Sequence, residues 1–186
     1  MAPARPRVDV RGSPMPGFYL LTYLPSARTE HYADSRGYYY RLGDGREIDV
    51  RVSPVWCPRC SGVTDGEEIE PVREIDMRIA DAERLAAEIR RDMETWLVTH
   101  SDAPGDRIVR ADIEALRLRR SWRERRVSPP RCLDCGSTGI LPLPQGKPVR
   151  VPGGSIRCEC IGHCSTILAD RYFTAEGERI AGGTRA

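Results

Sequence analysis

Apolar residues recur at helical spacing through the middle of the chain, between residues 67 and 127. They follow one another at intervals of four and three residues: Ile75, Ile79, Ala82, Ala86, Ile89, Met93 and Trp96. A second seam, over residues 108–126, contains Ala111, Ala115, Leu118 and Trp122. Such seams pack helix on helix. The short polar loop between them, at 99–106, therefore predicts an antiparallel helical hairpin over 67–127.

The residues before the helices have the pattern of β-structure. "GFYLLTYL" (17–24) predicts a strand that ends at Pro25. "YYYRLGDGREIDVRV" (38–52) predicts a β-hairpin, because Gly43-Asp44-Gly45 tolerates the backbone angles of a tight turn. We therefore assign 17–66 to an N-terminal β region that includes a first Cys-x-x-Cys turn, and 1–16 to a disordered tail.

The residues after the helices also predict short strands. A second Cys-x-x-Cys turn lies in "SPPRCLDCGSTGILPL" (128–143), and strands are expected after it and near 149–157, joined by a turn at "PQGKP". A last strand, "TILADRYF", precedes a turn at Ala175-Glu176-Gly177. This C-terminal region covers 128–177, and a polar tail covers 178–186.

The overall charge is close to balanced, with 29 basic and 27 acidic residues and a net charge of +2. That balance predicts no strong attraction to nucleic acid or to an anionic membrane. No run of apolar residues is long enough to span a bilayer, and the N-terminus has no secretory signal. We therefore expect a cytoplasmic protein, in which paired cysteines are more often metal ligands or catalytic groups than disulfides.

The two predicted helices carry opposite charge. Acidic residues outnumber arginines over 67–94, and arginines outnumber acidic residues over 106–131. Ion pairs between the two helices are the simpler interpretation. The alternative is a phosphate-binding stripe on the second helix, which makes nucleic acid a possible partner. That stripe would consist of Arg117, Arg119, Arg120, Arg123, Arg125 and Arg126.

Seven cysteines carry the strongest chemical signal in the chain. A Cys-x-x-Cys turn supplies two of the four ligands of a tetrahedral structural zinc site. For Cys132 and Cys135, the expected partners come from "RCECIGHCST" (157–166), since a β-hairpin between the two segments brings them together. As the third and fourth ligands we expect Cys160 with Cys164. Cys158 with Cys164 is the second choice, and His163 is the last.

The turn "WCPRC" (56–60) leaves more alternatives open. It is typical of thioredoxin-type redox sites, but the glycines and turn formers that follow it predict no helix there to activate the first thiol. As metal ligands, Cys57 and Cys60 could join Cys132 and Cys135, or form a second zinc site with Cys158, His163 or His31. The sequence does not decide between these pairings.

The two turns "SPVWCPRC" and "SPPRCLDCGSTGILPL" resemble those of a group of uncharacterised bacterial zinc-ribbon proteins. Members carry a Trp-Cys-x-x-Cys turn, a helical stretch and a Pro-Pro-Arg-Cys-Leu-x-Cys-Gly-Ser turn. Their usual final His-Pro-x-Cys-Gly-Gly turn is replaced here by residues 160–165. The resemblance covers about residues 38–175 and implies metal binding, with no activity to transfer.

Together these patterns predict an α+β protein in which small β-hairpins and a zinc ribbon flank an antiparallel helical hairpin. The expected cofactor is Zn²⁺. The expected role is a non-enzymatic protein-interaction or adaptor module with an unidentified protein partner and no membrane association. Nucleic-acid binding through the second helix and thiol-redox chemistry at Cys57 are the alternatives.

Overall fold

The structure is a computed structural model that describes residues 17–33, 36–95, 104–163 and 169–180. The predicted disordered tail, Trp96, Cys164 and the last six residues of the predicted polar tail lie outside these ranges. The described residues divide into two compact units. We call residues 17–69 with 127–180 the β unit, and residues 70–126 the helical unit.

The described residues form ten strands and two helices. The strands are β1 (Gly17–Leu24), β2 (Arg28–Ala33), β3 (Arg36–Arg41), β4 (Glu47–Asp49), β5 (Val52–Cys57), β6 (Gly62–Glu67), β7 (Leu141–Pro142), β8 (Pro148–Val151), β9 (Gly154–His163) and β10 (Ala169–Thr174). The helices are α1 (Val72–Thr95) and α2 (Pro104–Arg125). The protein is therefore a mixed α+β structure, as predicted.

Three small sheets make up the β unit. The largest is antiparallel, in the order β2-β1-β9-β8, and pairs the first described strand with the long C-terminal strand. A second sheet, β10-β3-β4, contains the parallel pair of β10 with β3. The third sheet, β6-β5-β7, carries the first Cys-x-x-Cys turn between β5 and β6. Residues from both sides of the helical unit thus share sheets.

The inner face of the four-stranded sheet forms an apolar core. Leu21, Ile156, Cys158 and Leu143 are buried together. Trp56 of β5 packs against this cluster, as do tyrosines and valines of the same sheet. Since Cys158 alternates with exposed residues along β9, its burial follows from the two-residue period of the strand.

Two buried carboxylates on β6 are hydrogen-bonded to tyrosines of other strands. The hydroxyls of Tyr32 and Tyr38 both donate to Asp65, and the hydroxyl of Tyr40 donates to Oε1 of Glu67 at 2.9 Å. Buried charged groups are retained only when such donors satisfy them. These bonds fix β6 against β2 and β3, and β6 in turn positions the cysteines described below.

The helical unit is held by an apolar contact and by ion pairs. Ala86 of α1 is buried with Val109 and Ile113 of α2. Ion pairs join the helices, among them Arg117 with Glu83 at 2.9 Å and Arg120 with Asp76 at 2.5 Å. The expectation that the acidic and basic helices form ion pairs with each other is therefore confirmed.

The predicted apolar seam was right for the first helix and only partly right for the second. In α1, Ile75 and Ala86 are buried, and Ile79, Ala82 and Ile89 are half-buried. In α2, Trp122 is buried and Leu118 is half-buried, as predicted, but Ala111 and Ala115 are exposed. The other buried residues of this helix are Val109, Ile113, Leu116 and Arg119. The larger side chains gain more from burial than alanine does, so they set which face of α2 points inward.

Most of the predicted strands were confirmed. The strand at 17–24 and the pairing of β3 with β4 have the expected positions, and the turn after β10 has Gly177 at a φ of 82°. Strand β2 was missed, because "RTEHYA" contains one apolar aromatic residue and is almost wholly exposed. It is an edge strand whose place is set by pairing with β1.

We predict that Tyr38→Phe destabilises the protein by about 1–3 kcal/mol, because the buried carboxylate of Asp65 loses one of its donors. Urea unfolding measures this change. The matched control is Tyr23→Phe, which removes a hydroxyl from the exposed pair with Glu30 and should cost less than about 0.5 kcal/mol. Equal losses in the two variants would contradict the role given to Asp65.

Candidate metal centre

The first cysteine turn closes the hairpin of β5 and β6. Cys57 is the last residue of β5, and Cys60 lies in the turn that precedes Gly62. The amide of Ser61 donates to the carbonyl of Pro58 at 3.3 Å, and Ser61 has a positive φ of 54°. This tight reversal places both thiols on one side of the hairpin end.

The second cysteine turn lies where the chain has returned from the helical unit. The amide of Gly136 donates to the carbonyl of Cys132 at 2.9 Å, and the amide of Cys132 donates to the carbonyl of Ser137 at 2.8 Å. Gly136 has a φ of 75°, which favours glycine at this position. The turn therefore brings Cys132 and Cys135 side by side.

Strand β6 holds the second turn beside the first. Gly66 forms an antiparallel bridge with Cys132, and the amide of Leu133 donates to the carbonyl of Asp65 at 2.9 Å. The side chain of Glu67 accepts from the amide of Arg131 at 3.0 Å. Because β6 also continues directly from the first turn, it places both turns at one point.

Four sulfur atoms converge at that point. The Sγ atoms of Cys57, Cys60, Cys132 and Cys135 all lie within 4.8 Å of one another. Cys57 and Cys135 are 3.5 Å apart, and Cys60 and Cys132 are 3.9 Å apart. Sulfurs bound at 2.3 Å to one tetrahedral ion are separated by about 3.8 Å. The arrangement therefore fits a four-coordinate metal ion.

The four thiols differ in exposure. Cys57 and Cys132 are buried, Cys135 is half-buried and Cys60 is exposed. The site is thus seated on the core of the β unit, where Val55 and Ile140 pack against the buried pair. Its open side is the tip of the first turn.

The polar groups around the sulfurs belong to no sequence motif. The hydroxyl of Thr64 lies 3.2 Å from Sγ of Cys132, and Nη1 of Arg59 donates to the carbonyl of Cys135 at 3.4 Å. Thr64 is buried, so its hydroxyl has few alternative partners. An outer group of this kind orients a metal ligand and raises metal affinity.

The electrostatics of the cluster favour a cation. Burial raises the pKa of Cys132, against the opposing effect of hydrogen bonds from Thr64 and from the backbone of Cys135 and Asp134. Desolvation and hydrogen bonds to the other three thiols raise the pKa of Cys60. Burial also raises the pKa of Cys135, but bonds from the Ser137 backbone and the neighbouring thiols outweigh it and the net direction is downward. A divalent cation bound at this point would favour the thiolate forms of its cysteine ligands.

The preferred pairing from the sequence was wrong. Cys160 does not belong to the cluster of Cys132 and Cys135, and its thiol donates instead to the carbonyl of Gly162 at 3.4 Å. Strand β9 pairs with β1 along its length, which carries Cys158 into the core and leaves His163 exposed at the strand end. Burial raises the pKa of Cys158 to about 11. Cys164 lies outside the described residues.

The alternative of a second zinc site, formed by Cys57 and Cys60 with Cys158, His163 or His31, was also wrong, because none of these three residues belongs to the cluster. His31 is exposed on β2. Among the residues that the structure describes, the four cysteines of the two Cys-x-x-Cys turns are the one group placed to share a metal ion.

The arginines of α2 are engaged with their surroundings. Arg117 also pairs with Glu114, and Arg120 with Glu124. Arg123 and Arg125 donate to backbone carbonyls, and Arg119 and Arg126 are buried. These contacts favour a structural role for the stripe over phosphate binding.

The turn at Cys57 differs from that of a thioredoxin-type thiol. Cys57 ends a strand, and Cys60 is followed by strand β6, with α1 beginning at Val72. Within the described residues, neither thiol is followed directly by a helix, which is the arrangement that activates a thioredoxin-type thiol.

Comparison with family models, with curated proteins and with solved structures gave no match for this chain. Within the described residues, neither helix combines the length and apolar character needed to span a bilayer.

We predict that Cys57→Ser abolishes metal binding, because one of four ligands is lost, whereas Cys160→Ser retains about one metal equivalent per chain. Metal analysis of purified protein without a histidine tag measures both. The Cys160 variant is the matched control, since it removes a thiol of similar chemistry that lies outside the cluster. Loss of metal in Cys160→Ser alone would show that the cluster is not the binding site.

Thr64→Val should weaken metal affinity by about tenfold or more, because the isosteric change removes the hydroxyl beside Sγ of Cys132. Competition with a chromophoric chelator gives the affinity. Thr22→Val, on a strand away from the cluster, controls for a general effect of losing a threonine hydroxyl. An affinity for Thr64→Val equal to that of the control would refute the role of this hydroxyl.

Proposed function

We propose that the protein is a zinc-binding, non-enzymatic module that acts as a protein-interaction adaptor. The observation that carries the proposal is the convergence of four cysteine sulfurs within 4.8 Å of one another. Zinc is the ion that suits four thiolates at tetrahedral corners in structural sites. Tetrahedral coordination by four protein ligands leaves no position for water or substrate, which supports a structural role for the ion.

We further propose that the β unit contains a zinc ribbon interrupted by an antiparallel helical hairpin. In support, the two cysteine turns flank the sheet of β5, β6 and β7, and the whole helical unit lies between them in sequence. Contacts of Glu83 with Arg117 and of Asp76 with Arg120 run in opposite directions along the two helices. The resemblance to bacterial zinc-ribbon proteins is part of this proposal.

The adaptor role rests on two properties. A filled zinc site of this kind takes up no reactant, so the ion contributes to folding and not to chemistry. The net charge of +2 is too small to attract the whole molecule strongly to a highly charged partner. The proposal places the protein in the cytoplasm, where cysteines remain available to zinc.

We predict that removing zinc with a chelator lowers the melting temperature by at least about 10 °C, since structural zinc binding contributes directly to folding. Differential scanning calorimetry measures the shift. Zinc should restore the original melting temperature and Mg²⁺ should not. Co²⁺ should give the visible absorption of tetrahedral thiolate coordination. An unchanged melting temperature after complete metal removal would refute the structural role.

Co-purification from the native host after in-cell cross-linking tests the adaptor role. We expect a protein partner that is enriched in proportion to the tagged chain and that is lost with Cys57→Ser. Recovery of the chain by itself at every expression level would argue against an adaptor.

A further inference from the structure

One face of the four-stranded sheet is open to solvent. Along β9, buried Ile156 and Cys158 alternate with exposed Arg157 and Glu159. Residues paired across strands lie on the same face, so the register places Thr22 with Arg157 and Leu20 with Glu159 and His31. We call this the outer face; its residues include Phe18, Leu20, His31, Arg150, Arg157 and Glu159.

Aromatic side chains lie near one end of the outer face. Phe18 is 39% exposed and forms the second pair of the β1–β9 register, near the start of β1. Its partner on β9 is Gly162, where a Cβ atom would lie 4.0 Å from the Cβ of Phe18. Because Gly162 has no side chain, one side of the Phe18 ring is left uncovered. His31 is exposed on the neighbouring strand, two pairs further along.

Cationic side chains lie toward the other end. Arg157 pairs in register with Pro148, and Arg150 with Ser155, so both arginines point to the outer face. Both are exposed. Neither forms an ion pair with any residue that the structure describes. This distinguishes them from Arg117 and Arg120 of α2, whose charges are already paired.

We propose that the outer face binds single-stranded nucleic acid, with bases stacked on Phe18 and His31 and phosphates bound by Arg150 and Arg157. Thr22, the partner of Arg157, lies four residues beyond Phe18 on β1, a distance of about 14 Å along a strand. Flat aromatic surfaces beside a cationic track are the two components of sequence-tolerant single-strand binding.

A single strand fits these features better than an acidic protein segment does. A carboxylate partner would explain the arginines but not the uncovered Phe18 ring. A duplex keeps its bases stacked inside, where Phe18 could not reach them. The site is separate from the metal centre and does not depend on the adaptor proposal.

Fluorescence anisotropy with a labelled single-stranded RNA of about twelve nucleotides tests the proposal. The zinc-loaded full-length chain should bind with a Kd in the micromolar range at about 50 mM salt and more weakly at about 200 mM. Phe18→Ala should weaken binding about fivefold or more, and Phe18→Tyr should retain it because the ring is kept. Metal content and circular dichroism confirm that each variant is folded.

The matched pair of double variants locates the binding surface. Arg150→Ala/Arg157→Ala should reduce the slope of log affinity against log salt by about 1.4, as two phosphate contacts are lost. Arg117→Ala/Arg120→Ala removes as many charges from α2 and should leave binding unchanged. Loss in the α2 variant would assign binding to the helix and overturn the proposal.

Other outcomes would also overturn it. Absence of binding up to about 100 μM would leave the outer face without a nucleic-acid ligand. Competition by polyglutamate as effective as that by unlabelled RNA would show that the face recognises negative charge alone. Metal content of the same samples reports independently on the zinc proposal, so failure of one is distinguishable from failure of the other.

Discussion

The attachment of residues 131–133 to strand β6 is the interaction on which the rest of the β unit depends. The amides of Arg131 and Leu133 donate to the side chain of Glu67 and to the carbonyl of Asp65, and the amide of Glu67 donates to the carbonyl of Arg131. These bonds join the segment that leaves for the helical unit to the segment that returns from it. They bring the two cysteine turns together, and the tyrosines bonded to Asp65 and Glu67 extend the same constraint into the other sheets.

Hydrogen bonds to β6 explain why Cys132 and Cys135 lie beside Cys57 and Cys60 and not beside the cysteines that are nearer in sequence. Closing Cys60 onto Cys132 encloses about three times as many residues as closing Cys135 onto Cys160. The additional entropy cost is only about 1 kcal/mol, because loop-closure entropy grows with the logarithm of length. One or two of the hydrogen bonds to β6, each contributing about 0.5–1.5 kcal/mol, offset that cost. The helical unit also folds through its own apolar contact and ion pairs, so it is not a flexible loop.

The sequence predicted local structure well and long-range pairing poorly. Helix α1, strand β1 and the hairpin of β3 and β4 follow from apolar periodicity and turn residues, which are local signals. The cysteines of each turn were recognised because Cys-x-x-Cys has a fixed local geometry, but that spacing carries no information about the second pair. Thr64 and Asp65 belong to no motif, and their roles arise only once β6 lies beside Cys132. In α2, Trp122 was predicted correctly, but two weak alanine positions were preferred over Val109 and Ile113, so the first half of the buried face was misplaced.

The candidate metal centre lies on the hairpin of β5 and β6, whereas the outer face belongs to the four-stranded sheet. Buried Cys57 and Cys132 anchor the cluster on the core, and a filled tetrahedral site offers nothing to a substrate. Function then depends on side chains that the fold does not use internally. On the inner face of the four-stranded sheet, Leu21 and Ile156 are fully committed to the core. The residues of the outer face have no such role in the core, and Phe18, Arg150 and Arg157 are exposed there. The four-stranded sheet, whose inner face is held by the core, is therefore free to present a binding surface on its outer face.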